Sequence, residues 1–149
     1  SWGPVALLPV FQILGTEYKD CDIITSFVNK EKMYDKFTKI NFLFKDAVAT
    51  VKVGKGIKSE GEMVIAGTKG YVYVPAPWWK TEYFEIRYEN QTDNKKFFYQ
   101  LDGEGLRYEI VSFVRSVNEG IKRSYIDENV AHSICEVIEN FYNLKLTEI

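Results

Sequence analysis

The chain has 149 residues, of which 46% are hydrophobic and 27% charged, and its net charge is −2. This length predicts one domain, at about 100–200 residues per domain, and the composition excludes a disordered chain, a collagen-like repeat and a disulfide scaffold. The charge balance gives no basic footprint, so we expect no nucleic-acid partner. Aromatic residues make up 15% of the chain, which favours half-buried β-sheet.

The first predicted element is a short apolar helix over residues 4–14. Pro4 stands where a first helical residue is expected, and Gly15 stands where a C-terminal cap is expected. Pro9 predicts a kink or an early end of this helix. Because the helix is apolar nearly all round, we expect cover on more than one side. We interpret such a beginning as that of an excised domain; a core helix of a complete domain is the alternative.

From residue 21 to residue 101 the sequence follows a period of two, which is typical of strands with one buried face. Ile40 and Phe42, for example, alternate with Lys39 and Asn41. The short, turn-rich separators predict antiparallel hairpins, because parallel strands need long crossovers. The pattern predicts about seven strands, over residues 22–28, 34–44, 47–53, 57–66, 70–74, 82–89 and 96–101.

Two glycine pairs lie between these strand patterns, Gly54 with Gly56 and Gly67 with Gly70. A phosphate loop would lead from a strand into a helix, which neither pair does. We therefore interpret these glycines as residues with positive φ in hairpin turns. No GxGxxG motif follows a first strand, so we predict no cofactor-binding residue in this chain.

The last third of the sequence predicts two amphipathic helices. The second follows Asp127, a favoured N-cap residue. The expected apolar faces consist of Leu106, Ile110, Phe113, Val114, Val117 and Ile121 in the first helix, and of Val130, Ile134, Val137, Ile138, Phe141 and Leu144 in the second. This order of elements predicts an α+β fold, a mainly antiparallel open sheet with helices on one face.

Candidate chemistry is sparse. His132 and Glu136 lie one helical turn apart and provide half of a metal site, but no further ligand is near, so we favour a solvated helix face and predict no metal. Cys21 and Cys135 form no CxxC pair, and we expect both to be reduced. No sequence pattern supports a catalytic residue. The chain shows neither a signal peptide nor a membrane span, so we expect a cytoplasmic location without membrane contact.

The most unusual segment is Pro75–Ala76–Pro77–Trp78–Trp79–Lys80. Two prolines favour an extended backbone, and two adjacent tryptophans must then point in different directions. Two interpretations remain open: the indoles cover and cap the sheet, or they contact a sugar or a partner. The candidate contact residues for a substrate or partner are Trp2, Trp78, Trp79 and Lys80.

Three motifs occur in order: GEMVIAGTKGYVYVP at residues 61–75, PWW at 77–79, and GLRYEIVSF at 105–113. Together they resemble the C-terminal domain of the Gfo/Idh/MocA family (glucose–fructose oxidoreductase, inositol dehydrogenase, rhizopine catabolism), from about Gly3 to about Tyr142. The resemblance implies a domain that forms the substrate cleft and a homodimer interface. The whole protein would transfer a hydride at a carbinol carbon of a sugar, polyol or related substrate.

The same resemblance implies that NAD or NADP binds to an N-terminal Rossmann domain, which this chain lacks together with the family's catalytic lysine. The family's Asp-x-Gly-x-His/Tyr motif falls on Ser1, Gly3 and Val5, so only the glycine is kept. Val5 cannot transfer a proton, and we expect the isolated chain to be inactive. Two alternatives are a stand-alone module that binds a ligand or partner, and a dimerising scaffold in a pseudo-enzyme.

Overall fold

A computed structural model describes residues 2–100, 105–121 and 125–149 of the chain. In order, its elements are α1 (Gly3–Leu14), β1 (Asp20–Asn29), β2 (Tyr34–Leu43), β3 (Val48–Gly54), β4 (Met63–Ala66), β5 (Gly70–Val74), β6 (Tyr83–Tyr88), β7 (Lys95–Phe98), α2 (Leu106–Glu119), α3 (Glu128–Tyr142) and β8 (Thr147–Glu148). The predicted α+β class with mainly antiparallel pairing is confirmed.

The chain packs into two units, each with its own sheet. Unit 1 comprises Ser1–Ser59 and Tyr125–Ile149, and unit 2 comprises Glu60–Ser124. In the described residues the strands form two four-stranded sheets, with the order β3-β2-β1-β8 in unit 1 and β4-β5-β6-β7 in unit 2. The sequence predicts the strands well but does not show how they divide between sheets.

The core of unit 1 lies between its sheet and the helices α1 and α3. Its fully buried members come from both layers and are Leu7, Phe11, Ile23, Ile40, Phe42, Phe44, Val51, Val130, Ile134 and Val137. Phe42 meets Phe11 edge to face, with ring centroids 5.4 Å apart, and meets Tyr18 in the same way at 5.4 Å. Such pairs stabilise a core beyond the area that they bury.

Helix α1 continues through Pro9 and ends at Leu14, so the predicted early end is wrong. Leu7 and Phe11 flank Pro9 in sequence and are each 1% exposed. Their burial outweighs the intrinsic cost of about 3 kcal/mol for a proline inside a helix. Gly15 ends the helix as predicted, with φ of +81° and its N–H donated to the Phe11 carbonyl oxygen at 3.1 Å.

Helix α3 begins as predicted, because the Asp127 carboxylate accepts a hydrogen bond from the Asn129 N–H at 2.7 Å. The helix ends at Tyr142, and Leu144 follows it with φ of +56°. The expectation that Leu144 belongs to the buried helix face is therefore wrong. The chain then turns into β8, which pairs parallel with β1 and was not predicted. Two residues are too few to produce an alternation signal.

The sheet of unit 2 is antiparallel throughout. The predicted strand over 57–66 is too long, since only Met63–Ala66 pairs. Phe84 and Phe97 stack across β6 and β7 with centroids 4.8 Å apart. The apolar residues Ile110, Phe113, Val114, Val117 and Ile121, on or just after α2, stay 47–70% exposed. The side chain of Leu106 and the predicted strand end at residue 101 lie outside the described residues.

The glycine pairs have a different role from the one predicted. Positive φ occurs at Gly15, Gly61, Gly105 and Gly120, and at none of the four paired glycines. The Gly67 N–H donates to the Gly70 carbonyl oxygen at 2.8 Å, so the predicted β4–β5 hairpin is confirmed. A Cβ at Gly70 would lie 2.5 Å from the Arg87 carbonyl oxygen. Close approach of two backbones therefore requires glycine there.

None of the helices in the described ranges is long and apolar enough to cross a bilayer.

Replacement of Phe42 by alanine is expected to lower the free energy of unfolding by about 3–5 kcal/mol, because it leaves a cavity beside Phe11 and Tyr18. Urea denaturation followed by far-ultraviolet circular dichroism measures this loss. Val64→Ala is the control, because Val64 is 58% exposed on β4 and its loss is expected to stay within about 0.5 kcal/mol. Equal effects of the two substitutions would contradict this core.

Candidate ligand pocket

A pocket of about 250 Å³ opens in unit 1 where the start of α1, the beginning of β2, the end of β3 and the end of α3 meet. Its lining includes Trp2 and Gly3, then Tyr34, Asp35 and Thr38, then Gly54 and Lys55, and finally Phe141 and Tyr142. Aromatic rings thus surround a few polar groups, which is the usual composition of a small-molecule site.

A β-bulge in β2 places two of the polar groups on one face. Ser26 of β1 opposes Phe37, but the next residue, Phe27, opposes Asp35, so Lys36 is an extra residue in β2. Residues three apart in a regular strand point to opposite faces. The extra residue brings the side chains of Asp35 and Thr38 to the same face, and both line the pocket.

Two buried hydroxyl groups support the Asp35 carboxylate. Thr38, which is 3% exposed, donates to Asp35 Oδ2 at 2.8 Å. Its oxygen lies 2.8 Å from the hydroxyl oxygen of Thr25, which is 0% exposed. Because Thr38 directs its one O–H to Asp35, Thr25 is the donor of this pair, and its single O–H is shared with the Phe37 carbonyl oxygen at 3.0 Å. Since a carboxylate only accepts hydrogen bonds, this series of donors runs outward from the core and ends at Asp35.

Lys55 lines the same pocket and lies between Gly54, the last residue of β3, and Gly56. A Cβ at Gly54 would lie 2.8 Å from the Lys36 carbonyl oxygen, and the Gly56 N–H donates to that oxygen at 3.1 Å. Lys55 lies between these contacts, and its Nζ is 6.0 Å from the centroid of the Tyr34 ring. Within the described residues no ion pair joins Lys55 to Asp35, although both line the pocket.

Among the predicted contact residues, Trp2 is 50% exposed at the pocket, next to Gly3. Sequence reasoning did not identify Tyr34, Asp35, Thr38 or Lys55. Thr38 was visible as a polar residue within the apolar series of β2. The pairing of Asp35 with Thr38 was hidden, because the alternation assigns them to opposite faces.

The other three predicted contact residues lie together in unit 2. The backbone is extended at Pro77, after a cis Ala76–Pro77 bond, and Trp78, Trp79 and Lys80 then form a 3₁₀ turn, so the extended segment predicted from the prolines ends before the tryptophans. The backbone N–H of Trp78 donates to the Gly61 carbonyl oxygen at 3.0 Å, and this hydrogen bond holds the turn. The two indoles are perpendicular at 89°, with centroids 5.9 Å apart, and Trp79 is 42% exposed.

The remaining candidate groups lie elsewhere. Val5 is 41% exposed on α1, and Ser1 lies outside the described residues. His132, Cys135 and Glu136 are exposed on α3, and the described ranges contain no cluster of three or more potential metal ligands.

Cys21 is a half-buried free thiol in unit 1. Burial first, and then the nearby carboxylates, Asp20 first among them, together raise the pKa of Cys21 to about 11. This thiol is therefore protonated at neutral pH and is a poor nucleophile.

No protein-family model matches the sequence, and a comparison with curated proteins finds no match. Several solved structures share the fold. KijD10, a 3-ketoreductase from Actinomadura kijaniata solved with NADP and TDP-benzene, matches 99% of this chain over 45% of its own chain, with a TM-score of 0.74 and 10% identity.

Two further structures give the same result. A biliverdin reductase from Synechocystis sp. PCC 6803, solved with biliverdin and NADP⁺, matches 94% of this chain over 44% of its own, with a TM-score of 0.73 and 14% identity. The probable oxidoreductase yhhX matches 95% of this chain over 46% of its own chain, with a TM-score of 0.67 and 13% identity. At these identities the likeness shows the fold alone. The chain spans less than half the length of these proteins.

The Thr25–Thr38 pair provides a test of the pocket's polar support. Thr25→Val and Thr38→Val are each expected to lower the free energy of unfolding by about 1–3 kcal/mol, because each leaves a buried polar group without its partner. The loss of unfolding free energy in the double variant should be smaller than the sum of the two single losses, by a coupling energy of about 1 kcal/mol. Urea denaturation of all four proteins measures the cycle.

Thr147→Val, at an exposed position on β8, is the control for this cycle, with an expected change within about 0.5 kcal/mol. Strictly additive losses in the Thr25/Thr38 cycle would contradict a direct hydrogen bond between the two hydroxyls.

Proposed function

We propose that this chain is the C-terminal, substrate-side domain of an NAD(P)-dependent oxidoreductase that acts on a sugar, a polyol or a related carbinol. The observation that carries the proposal is the fold match of 99% of the chain to less than half of a ketoreductase solved with NADP. The ordered motifs at residues 61–75, 77–79 and 105–113 support the same assignment. The comparisons do not favour a stand-alone binding module.

The proposal assigns binding and positioning to this chain and cofactor binding to an N-terminal Rossmann domain. The nicotinamide ring would supply the hydride chemistry when bound there. The chain's own pocket offers aromatic walls at Trp2 and Tyr34 and polar groups at Asp35 and Lys55. Val5 has no proton to donate or accept, so the group that exchanges a proton with the substrate must be another residue.

A homodimer through the sheet forms part of the proposal. The face of the unit 1 sheet opposite the core carries a polar row, in which Thr50 donates to Asn41 at 3.1 Å and Asn41 donates to Asp22 at 3.4 Å. Beside this row Val48 is 76% exposed and Leu43 47% exposed. A mixed polar and apolar face suits a second sheet. Sedimentation of the chain as a monomer at high concentration would contradict the dimer.

We also propose a cytoplasmic location, supported by the free thiols of Cys21 and Cys135, because reducing compartments keep cysteines unpaired. Cell fractionation with an antibody against the chain tests this location.

The division of labour between domains predicts that the 149-residue chain does not bind NADH or NADPH in isothermal titration. The complete polypeptide that carries this domain should bind one of them and reduce or oxidise the nicotinamide with a carbinol substrate. Micromolar binding of either nucleotide by the chain alone would contradict the proposal, as would a complete polypeptide that binds neither.

Trp79 of unit 2 is proposed, independently of the unit 1 pocket, as a contact for a substrate or partner, because its indole is 42% exposed beside the perpendicular ring of Trp78. In the complete polypeptide, Trp79→Ala is expected to raise KM about tenfold with little change in kcat, the loss of about 1.4 kcal/mol of binding. Trp79→Phe, which keeps an aromatic face, should recover most of the affinity. Unchanged steady-state kinetics in Trp79→Ala would make the pair structural.

A further inference from the structure

We propose that the unit 1 pocket takes a small hydroxy acid of the sugar-acid type, with the carboxylate of the ligand at Lys55 and a hydroxyl group at Asp35. The inference rests on the proposed function, since it assumes that this pocket receives the substrate, and it narrows the substrate from carbinols in general to acidic ones.

The two charges of the pocket define complementary ends of a ligand. Asp35 accepts one hydrogen bond from Thr38, and its remaining lone pairs suit a hydroxyl donor. Lys55 contributes an ammonium group with three N–H donors, and its Nζ lies over the Tyr34 ring, 6.0 Å from the centroid. An anionic acceptor on the ligand is the group that Lys55 binds best.

Neutral polyols, amino sugars and dicarboxylates each satisfy one end only. A neutral polyol leaves Lys55 without a counter-charge, and an amino sugar meets a like charge there. A dicarboxylate places an anion against Asp35, whose position is held by the buried hydroxyls of Thr38 and Thr25. A hydroxy acid pairs with both groups.

The dimensions of the pocket select a small molecule. Its volume of about 250 Å³ is just below the range of about 300–1,000 Å³ that drug-sized ligands occupy. A single sugar acid fits this volume, whereas a nucleotide-linked sugar or a tetrapyrrole does not. The rings of Trp2, Tyr34 and Tyr142 around the pocket offer flat surfaces for the carbon skeleton of the ligand.

Isothermal titration of the 149-residue chain with matched ligands tests the inference. D-Gluconate and D-glucitol share one carbon skeleton and differ in a carboxylate against a primary alcohol. Gluconate is expected to bind at least about tenfold more tightly. Lys55→Met should abolish this preference, whereas Lys52→Met on β3, which does not line the pocket, should keep it. Asp35→Asn should weaken both ligands.

Equal binding of gluconate and glucitol, no binding of gluconate, or a preference unchanged in Lys55→Met would each overturn the inference. Tighter binding of a zwitterion such as serine would overturn it in favour of an amino-acid site. These results are separate from the test of the proposed function. Turnover of neutral polyols without a gluconate preference contradicts only the inference, and gluconate binding without nicotinamide-dependent turnover contradicts only the function.

Discussion

The pocket depends on one extra residue in one strand. Because Lys36 interrupts the register of β2, Asp35 turns to the face of Thr38, and the freed Lys36 carbonyl oxygen receives the Gly56 N–H at 3.1 Å. That hydrogen bond brings the end of β3 against the bulge so closely that Gly54 has no room for a side chain. Lys55 is placed by the same contacts. The bulge at Lys36 thus positions the two opposite charges of the site, in keeping with the common use of bulges to redirect side chains.

Alternation of apolar residues predicted most of the fold because period two is a direct consequence of a sheet with one buried face. The predicted bounds agree closely with five strands, β1, β2, β3, β5 and β6. Asp127 predicted the start of α3, because its carboxylate is a favoured N-cap acceptor. The prediction failed where long-range strand pairing, burial or a break in the alternation determines the structure. The strand β8 is held by a neighbour distant in sequence, the helix through Pro9 is held by burial of Leu7 and Phe11, and the bulge at Lys36 breaks the period itself.

The candidate tryptophans and the polar residues of the pocket differ in how far the sequence reveals them. Trp2 and the Trp78–Trp79 pair were recognisable because tryptophan is rare and adjacent prolines restrict the backbone. Asp35, Thr38 and Lys55 resemble ordinary strand and turn residues, and only the three-dimensional register brings them to one pocket. The opposite holds for Val5, where the resemblance to a family located the position and elementary chemistry excluded proton transfer. An oxidoreductase built on this domain would combine a specific binding surface with acid–base chemistry supplied by other residues.

Unit 1 is discontinuous, since α3 and β8 come from the last 25 residues of the chain, Tyr125–Ile149, after all of unit 2. During synthesis, α1 and the strands β1, β2 and β3 therefore emerge long before α3, which completes the cover of their apolar face. Unit 2, by contrast, is complete as soon as its own residues have emerged. The nascent chain must keep Ile23, Ile40 and Phe42 from non-specific association over this interval. Closure of the core by Tyr125–Ile149 makes folding of unit 1 a late, long-range event, and synthesis that stops before Tyr125 leaves the sheet without the cover of α3.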